Sequence, residues 1–162
     1  MERLNAIHKY LFESIYPFAG EYRKVNMQKR IGTFLFVKYK EGTCDFTKEI
    51  DKKIDKLFDE INDMLRQCRD KYDFCHILAK LYTTLIFIHP YREGNGRTIR
   101  EFIREYSIVN SEKIGIGAME LDWSLIDKKE LDECIAVVHL FPYSISSILM
   151  NALVPYEKIK GR

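Results

Sequence analysis

Apolar residues recur at three- and four-residue steps over most of this chain, the spacing that gathers them on one side of an α-helix. Leu4, Ile7, Leu11, Phe12 and Ile15 form the first stripe and Pro17 closes it, so an amphipathic helix is expected at the start. From Thr47 to Cys68 a longer stripe runs through Ile50, Ile54, Leu57, Phe58, Ile61, Met64 and Leu65 beside solvated Lys and Asp, which predicts a surface helix. Between Asp73 and Ile88 the polar positions thin out, and LYTTLIFI from Leu81 onward is apolar all round. Such a helix belongs in the middle of a core. It must stop near His89, because Pro90 disfavours helical geometry in the residue before it. Another strongly patterned helix starts around Gly96 or Arg97, with Ile99, Phe102, Ile103, Tyr106 and Val109 inward. The pattern weakens through SEKIGIGAMELDW. Leu131, Cys134, Ile135, Val138 and Phe141 then predict one more helix, and Ile145 to Leu153 a last short one.

One stretch departs from this periodicity. In GEYRKVNMQKRIGTFLFVKYKEG a loosely alternating run through Val25 and Met27 is separated by Gly32 from the β-favouring run Thr33 to Val37, which suggests a short hairpin over about residues 22–38. The expected fold is all-α with one small β-hairpin. No repeat, low-complexity tract or linker divides residues 1–162, so they are read as one domain.

Composition narrows the function less than the pattern narrows the fold. With 46% hydrophobic residues the chain can build a real core, and 26 basic against 24 acidic side chains leave a net charge of +2. That is far from the basic excess of a domain that lives on nucleic acid. Cys44, Cys68, Cys75 and Cys134 show neither C-x-x-C pairing nor zinc spacing and read as reduced packing residues. The N-terminal segment mixes charge and apolar residues at helical spacing, unlike a signal peptide or membrane span, and a cytoplasmic setting is expected.

Candidate chemistry is concentrated between the two best-patterned helices, in IHPYREGNGRTIR. Gly94 and Gly96 let backbone approach a ligand closely, and the helix start beside them offers free N–H groups and partial positive charge. Such a place binds phosphate. Arg97 and Arg100, three residues apart, share a helical face from which guanidinium forks can reach phosphate oxygens. Glu93 stands beside this anion site, where a carboxylate can share Mg²⁺ with phosphate. His89 is the group nearby whose ordinary pKa lies close to neutrality, the property a general base needs. Each signal alone has a bland alternative: Asn95-Gly96 as a turn, His89 as a capped core histidine, Arg97 paired with Glu101, and Arg100 as a solvated neighbour of Arg104. His8, His76 and His139 lack such company and read as structural.

Together the residues carry a resemblance. His89-Pro90-Tyr91-Arg92-Glu93-Gly94-Asn95-Gly96-Arg97-Thr98-Ile99-Arg100 resembles the Fic signature H-x-F-x-[DE]-G-N-G-R-x-x-R, with Tyr91 where Phe is usual. The upstream segment AIHKYLFESIYPFAGEYRKVNMQKRIGTF is similar to the Fic segment that leads into the flap, a target-docking hairpin. The resemblance implies the mainly helical Fic fold and a protein adenylyltransferase, an enzyme of AMPylation that moves AMP from ATP to a Ser, Thr or Tyr hydroxyl. It implies His89 as base, Glu93 as Mg²⁺ ligand, and Gly94, Asn95 and Gly96 around the α- and β-phosphates. Arg97 would reach the β-phosphate and Arg100 the γ-phosphate. Gln28, Lys29, Arg30, Ile31, Gly32, Thr33 and Phe34 would form the flap and receive an extended target strand.

Doc-type relatives, which phosphorylate their target, carry changed glycine positions, including a Lys where this chain has Gly96, so AMP transfer is favoured over phosphoryl transfer or another donor. The inhibitory motif [ST]-x-x-x-E-[GN] of many Fic proteins is missing, and its nearest approach, SSILMN at Ser146 to Asn151, has Met150 in place of Glu. That leaves a separate inhibitory, antitoxin-like protein or a segment outside these residues as the regulator, and self-modification as a further possibility. The competing reading from another class is a helix-turn-helix that binds DNA, disfavoured by the long turn and the near-neutral charge.

Overall fold

The computed structural model describes residues 2–25, 29–31, 34–36, 46–136 and 144–157. Six helices account for most of them: α1 (Glu2–Phe12), α2 (Phe46–Gln67), α3 (Lys71–Ile88), α4 (Asn95–Lys113), α5 (Lys128–Ala136) and α6 (Ser144–Ala152). Strands β1 (Lys29–Ile31) and β2 (Phe34–Phe36) pair antiparallel with Lys29 opposite Phe36 and Ile31 opposite Phe34. The helical fold with a small hairpin is therefore the one expected. Gln28, Gly32, Thr33, Cys44, Val138, His139 and Phe141 lie outside the described residues.

Helix α3 is the axis of the core, and α2, α4 and α6 pack around it. Phe74, Cys75, Leu78, Leu81 and Leu85 are fully buried, which is why this helix can dispense with a polar face. Its start is capped by Asp70, whose carboxylate accepts the Asp73 N–H at 2.8 Å. Cys68, Cys75 and Cys134 are free thiols. Ser146 and Met150 of α6 face α3: Ser146 Oγ lies 2.7 Å from His76 Nδ1, and Cys75 Sγ lies 3.9 Å from the Met150 sulfur. Ser146, Leu149 and the Met150 sulfur thus serve packing against the core, while Ser147 and Asn151 are exposed.

A second small sheet was not expected. Strand β3 (Met119–Leu121) pairs antiparallel with β4 (Leu153–Pro155), so Leu153 closes a sheet where a last helical residue was anticipated. This sheet is tied to α4 by Ser107 Oγ, which accepts the Leu121 N–H at 3.0 Å, and by Ser111 Oγ, which accepts the Met119 N–H at 2.8 Å. Among the described residues no helix is long and apolar enough to cross a membrane.

Candidate active site

The loop from His89 to Gly94 joins the C-terminus of α3 to the N-terminus of α4, and two left-handed residues shape it. His89 caps α3 with φ 50° and ψ 62°, its N–H still donating to the Leu85 carbonyl. Among the described non-glycine residues it alone has positive φ. Pro90 explains why: the helical conformation is closed to the residue before it, and the chain must turn sharply. A non-glycine residue in that region is strained and persists only where its surroundings hold it. His89 is 9% exposed.

Three groups that the sequence did not single out for the site hold the loop. Arg23, 1% exposed, donates from Nε to the His89 carbonyl at 2.7 Å, from Nη2 to the Ile88 carbonyl at 3.1 Å and from Nη1 to the Val25 carbonyl at 2.8 Å. A buried cation is acceptable here because it meets the negative end of α3. Asn5 accepts the Tyr91 hydroxyl at 2.6 Å, which supplies the partner that a Tyr in place of Phe demands. His8 is fully buried, and its Nδ1 accepts the Gly20 N–H at 2.8 Å. Its Nε2 therefore carries the proton and donates to the Glu93 carbonyl at 3.0 Å. His8 is structural, as expected, and its structural task is to anchor this loop. Burial pushes its pKa below the ordinary histidine value, and the Glu93 hydrogen bond only partly opposes that.

Asn95 fastens the loop from within. Its Oδ1 accepts the Tyr91 N–H at 2.8 Å and its Nδ2 donates to the Tyr91 carbonyl at 2.7 Å, with the residue 2% exposed. Its side chain thus braces the turn, and its backbone N–H stands in the first turn of α4. Gly94 precedes it as N-cap of α4 with φ 80° and has no side chain to cap the helix. The opening amides of α4 are left for a ligand.

Gly94 also lies where a side chain cannot go, since a Cβ there would fall 2.4 Å from Cε2 of Phe12. Phe12 is the floor of the loop, and the Arg97 guanidinium lies 4.6 Å from its ring centroid. Arg97 is not the partner of Glu101. Glu101 instead pairs with Arg104 at 2.7 Å, and Arg104 reaches Glu120 as well at 3.3 Å. The like charge facing Arg100 is thereby neutralised. Arg100 is half-buried beside Tyr82, whose hydroxyl is pushed up to about 12 by burial with Arg100 pulling the other way. Trp123 Nε1 donates to the Arg100 carbonyl at 2.9 Å. Glu93 and Arg92 are exposed on the outside of the loop, with Arg92 5.3 Å from the Phe18 ring centroid. The structure therefore brings His89, Glu93, Gly94, Asn95, Gly96, Arg97 and Arg100 into one loop and helix start. Lys29, Arg30, Ile31 and Phe34 are in the hairpin, as placed by the sequence.

Comparison with known proteins agrees with the helical fold. The profile of the Fic/DOC family matches residues 1–107, and the chain belongs to that family. It is 27% identical over 155 residues to protein adenylyltransferase VbhT of Bartonella schoenbuchensis, covering 95% of this chain and 28% of that protein. Over 131 residues it is 24% identical to the probable protein adenylyltransferase Fic of Escherichia coli, covering 80% of this chain and 56% of the other. The chain thus spans about a quarter to a little over half the length of these relatives. Among solved structures, BepC of Bartonella tribocorum with bound AMPPNP superposes with a TM-score of 0.68 at 21% identity, over 96% of this chain and 75% of that one. The N-terminal Fic domain of a Bartonella quintana cell filamentation protein with bound ADP gives 0.70 at 23% identity, over 96% and 73%.

Proposed function

We propose that this chain is a protein adenylyltransferase, transferring AMP from ATP to a hydroxyl of a target protein. The observation that carries the reading is the uncapped start of α4, with Gly94 in the left-handed region and Arg97 and Arg100 on the first turns, joined by a short rigid loop to His89. Adenylyltransferase relatives of the same family support it.

In this reading the amides of Asn95, Gly96 and Arg97 hold phosphate oxygens, and the two guanidiniums neutralise the rest of the triphosphate. His89 takes the proton of the target hydroxyl as its oxygen attacks the α-phosphorus, and pyrophosphate leaves. Catalysis then rests on alignment and charge, with no covalent enzyme intermediate. The donor set fits a hard divalent cation, because the exposed Glu93 carboxylate stands beside the place where phosphate oxygens would complete an oxygen shell. Mg²⁺ held there would offset charge on the polyphosphate. The target would lie along the β1–β2 hairpin by strand addition. An antitoxin-like protein, or a segment outside these residues, bearing a carboxylate for Arg100 would supply the inhibitory contact that residues 1–162 lack as a motif.

The test is label transfer to protein from α-labelled and from γ-labelled ATP, with and without Mg²⁺, followed by intact mass. An adenylate mass gain that His89→Ala abolishes is expected. Transfer from the γ position alone would replace the reading by phosphoryl transfer, and none from either would end it.

A further inference from the structure

The sequence resemblance gives the short segment between α1 and β1 only as the lead into the flap and names no task for Arg23. That segment carries Arg23, one of the largest fully buried side chains among the described residues. Its guanidinium bonds three carbonyls, those of Ile88, His89 and Val25, while its own backbone N–H donates to the Pro90 carbonyl at 2.8 Å. Two consecutive carbonyls after the end of α3, at His89 and Pro90, are therefore fixed by one residue. The carbonyl before them, at Ile88, is fixed by the same side chain.

This matters because His89 sits in a backbone conformation it would not keep alone. The direction of its Cα–Cβ bond, and with it the reach of the imidazole, depends on the orientation of those flanking peptide planes. A lysine could satisfy one such carbonyl well. It could not hold three at fork geometry, because its ammonium is a point donor on a flexible stem. The third carbonyl, at Val25, lies two residues further along the same segment, so the guanidinium also ties this segment to the end of α3.

We propose that Arg23 is the positioning residue of the base: it holds His89 in its left-handed conformation and ties it to the segment after α1, without itself touching nucleotide or target. The inference rests on His89 being the general base. It predicts a separation of effects. Nucleotide binding would fall to α4 and its arginines, while the four hydrogen bonds of Arg23 given above go to Val25 and to the residues around His89, and transfer needs the imidazole in place. A misplacement of about 1 Å at a reacting group costs on the order of 100-fold in rate.

The experiment compares wild type, Arg23→Lys, Arg23→Met and His89→Ala. Each is measured for Mg-ATP affinity by calorimetry, for initial label transfer from α-labelled ATP to itself and to a desalted lysate, and for the His89 ring resonances by NMR. Expected are unchanged ATP affinity in both Arg23 variants, transfer reduced roughly 10-fold in Arg23→Lys and about 100-fold in Arg23→Met, and His89 ring signals shifted in both. A folded Arg23→Lys with wild-type transfer and unmoved ring signals overturns the proposal, as does a loss of ATP affinity equal to the loss of transfer. Should Arg23→Met fail to fold, Arg23→Lys and its ring signals decide alone. If wild type transfers nothing while the ring signals still move in the Arg23 variants, adenylyl transfer falls and the positioning role stands.

Discussion

The imidazole of His8 lies flat against the phenol ring of Tyr91, with centroids 3.8 Å apart and planes 11° from parallel. One residue comes from the first helix and the other from the loop between α3 and α4, so this stack joins the two ends of the matched family region. The stacked ring must also be neutral, because its Nδ1 accepts from Gly20 and a proton there would leave two donors face to face.

That neutrality sets a pH dependence. The folded-state pKa of His8 is depressed below the ordinary 6.5, so its contribution to stability is fully present above about 6.5 and is lost as pH falls through the folded value. Thermal melts should show the wild-type midpoint falling between about pH 7 and pH 5. His8→Phe should melt lower at pH 8, having lost two hydrogen bonds, but with a shallower slope over the acid range. Equal slopes for the two proteins would refute the assignment.

Tyr91→Phe isolates the hydroxyl. It leaves the stack and removes only the bond to Asn5, so a loss of about 1 kcal/mol in denaturant melts is expected. Adding Asn5→Ala to Tyr91→Phe should cost less than Asn5→Ala alone, since the partners are then absent together.

The two glycines should separate folding from binding. Gly94→Ala places a Cβ 2.4 Å from the Phe12 ring at φ 80°, and a loss of roughly 2 kcal/mol or more is expected in equilibrium unfolding. Phe12→Leu should recover part of it. At Gly96 the nearest atom to an added Cβ is Arg100 Nη1 at 3.3 Å, so Gly96→Ala should fold normally and weaken Mg-ATP instead. Calorimetry on the folded variant checks the second half.

Trp123 offers an optical test of the arginines. It is the one tryptophan of the chain, bonds the Arg100 carbonyl, and lies 5.1 Å from Tyr82 between ring centroids. Mg-ATP titration should therefore change its emission in wild type. Arg97→Ala and Arg100→Ala should each shift the midpoint about 10-fold to higher concentration, roughly 1.4 kcal/mol of lost charge-assisted contact. No change in emission at saturating nucleotide would argue that phosphate does not reach Arg100.

Much of the fold could be read from spacing alone. The all-round apolar run before His89 marked α3 as central, Pro90 marked its end, and the stripe from Ile99 to Tyr106 marked α4, although Val109, expected inward with it, is 51% exposed near the helix end. The β3–β4 sheet escaped because three-residue strands are too short to show a two-residue period, and their pairing is between distant segments. Within the site, the motif placed the loop but not its supports. Arg23 is one arginine in a polar stretch, and only the folded chain shows three carbonyls converging on it. Phe12 sits in a stripe that predicts packing, and packing is what it does, yet its ring fills the space that a side chain at Gly94 would need. Asn95 was legible as part of a phosphate cradle but not as the brace that its amide makes across its own loop.

That closed turn of Asn95 on Tyr91 bears on how quickly the site could take up a nucleotide. A loop whose backbone is already stitched across its base has given up its freedom during folding, before any nucleotide arrives. Incoming triphosphate would then meet a rigid socket, and encounter, not rearrangement, would set the speed of capture.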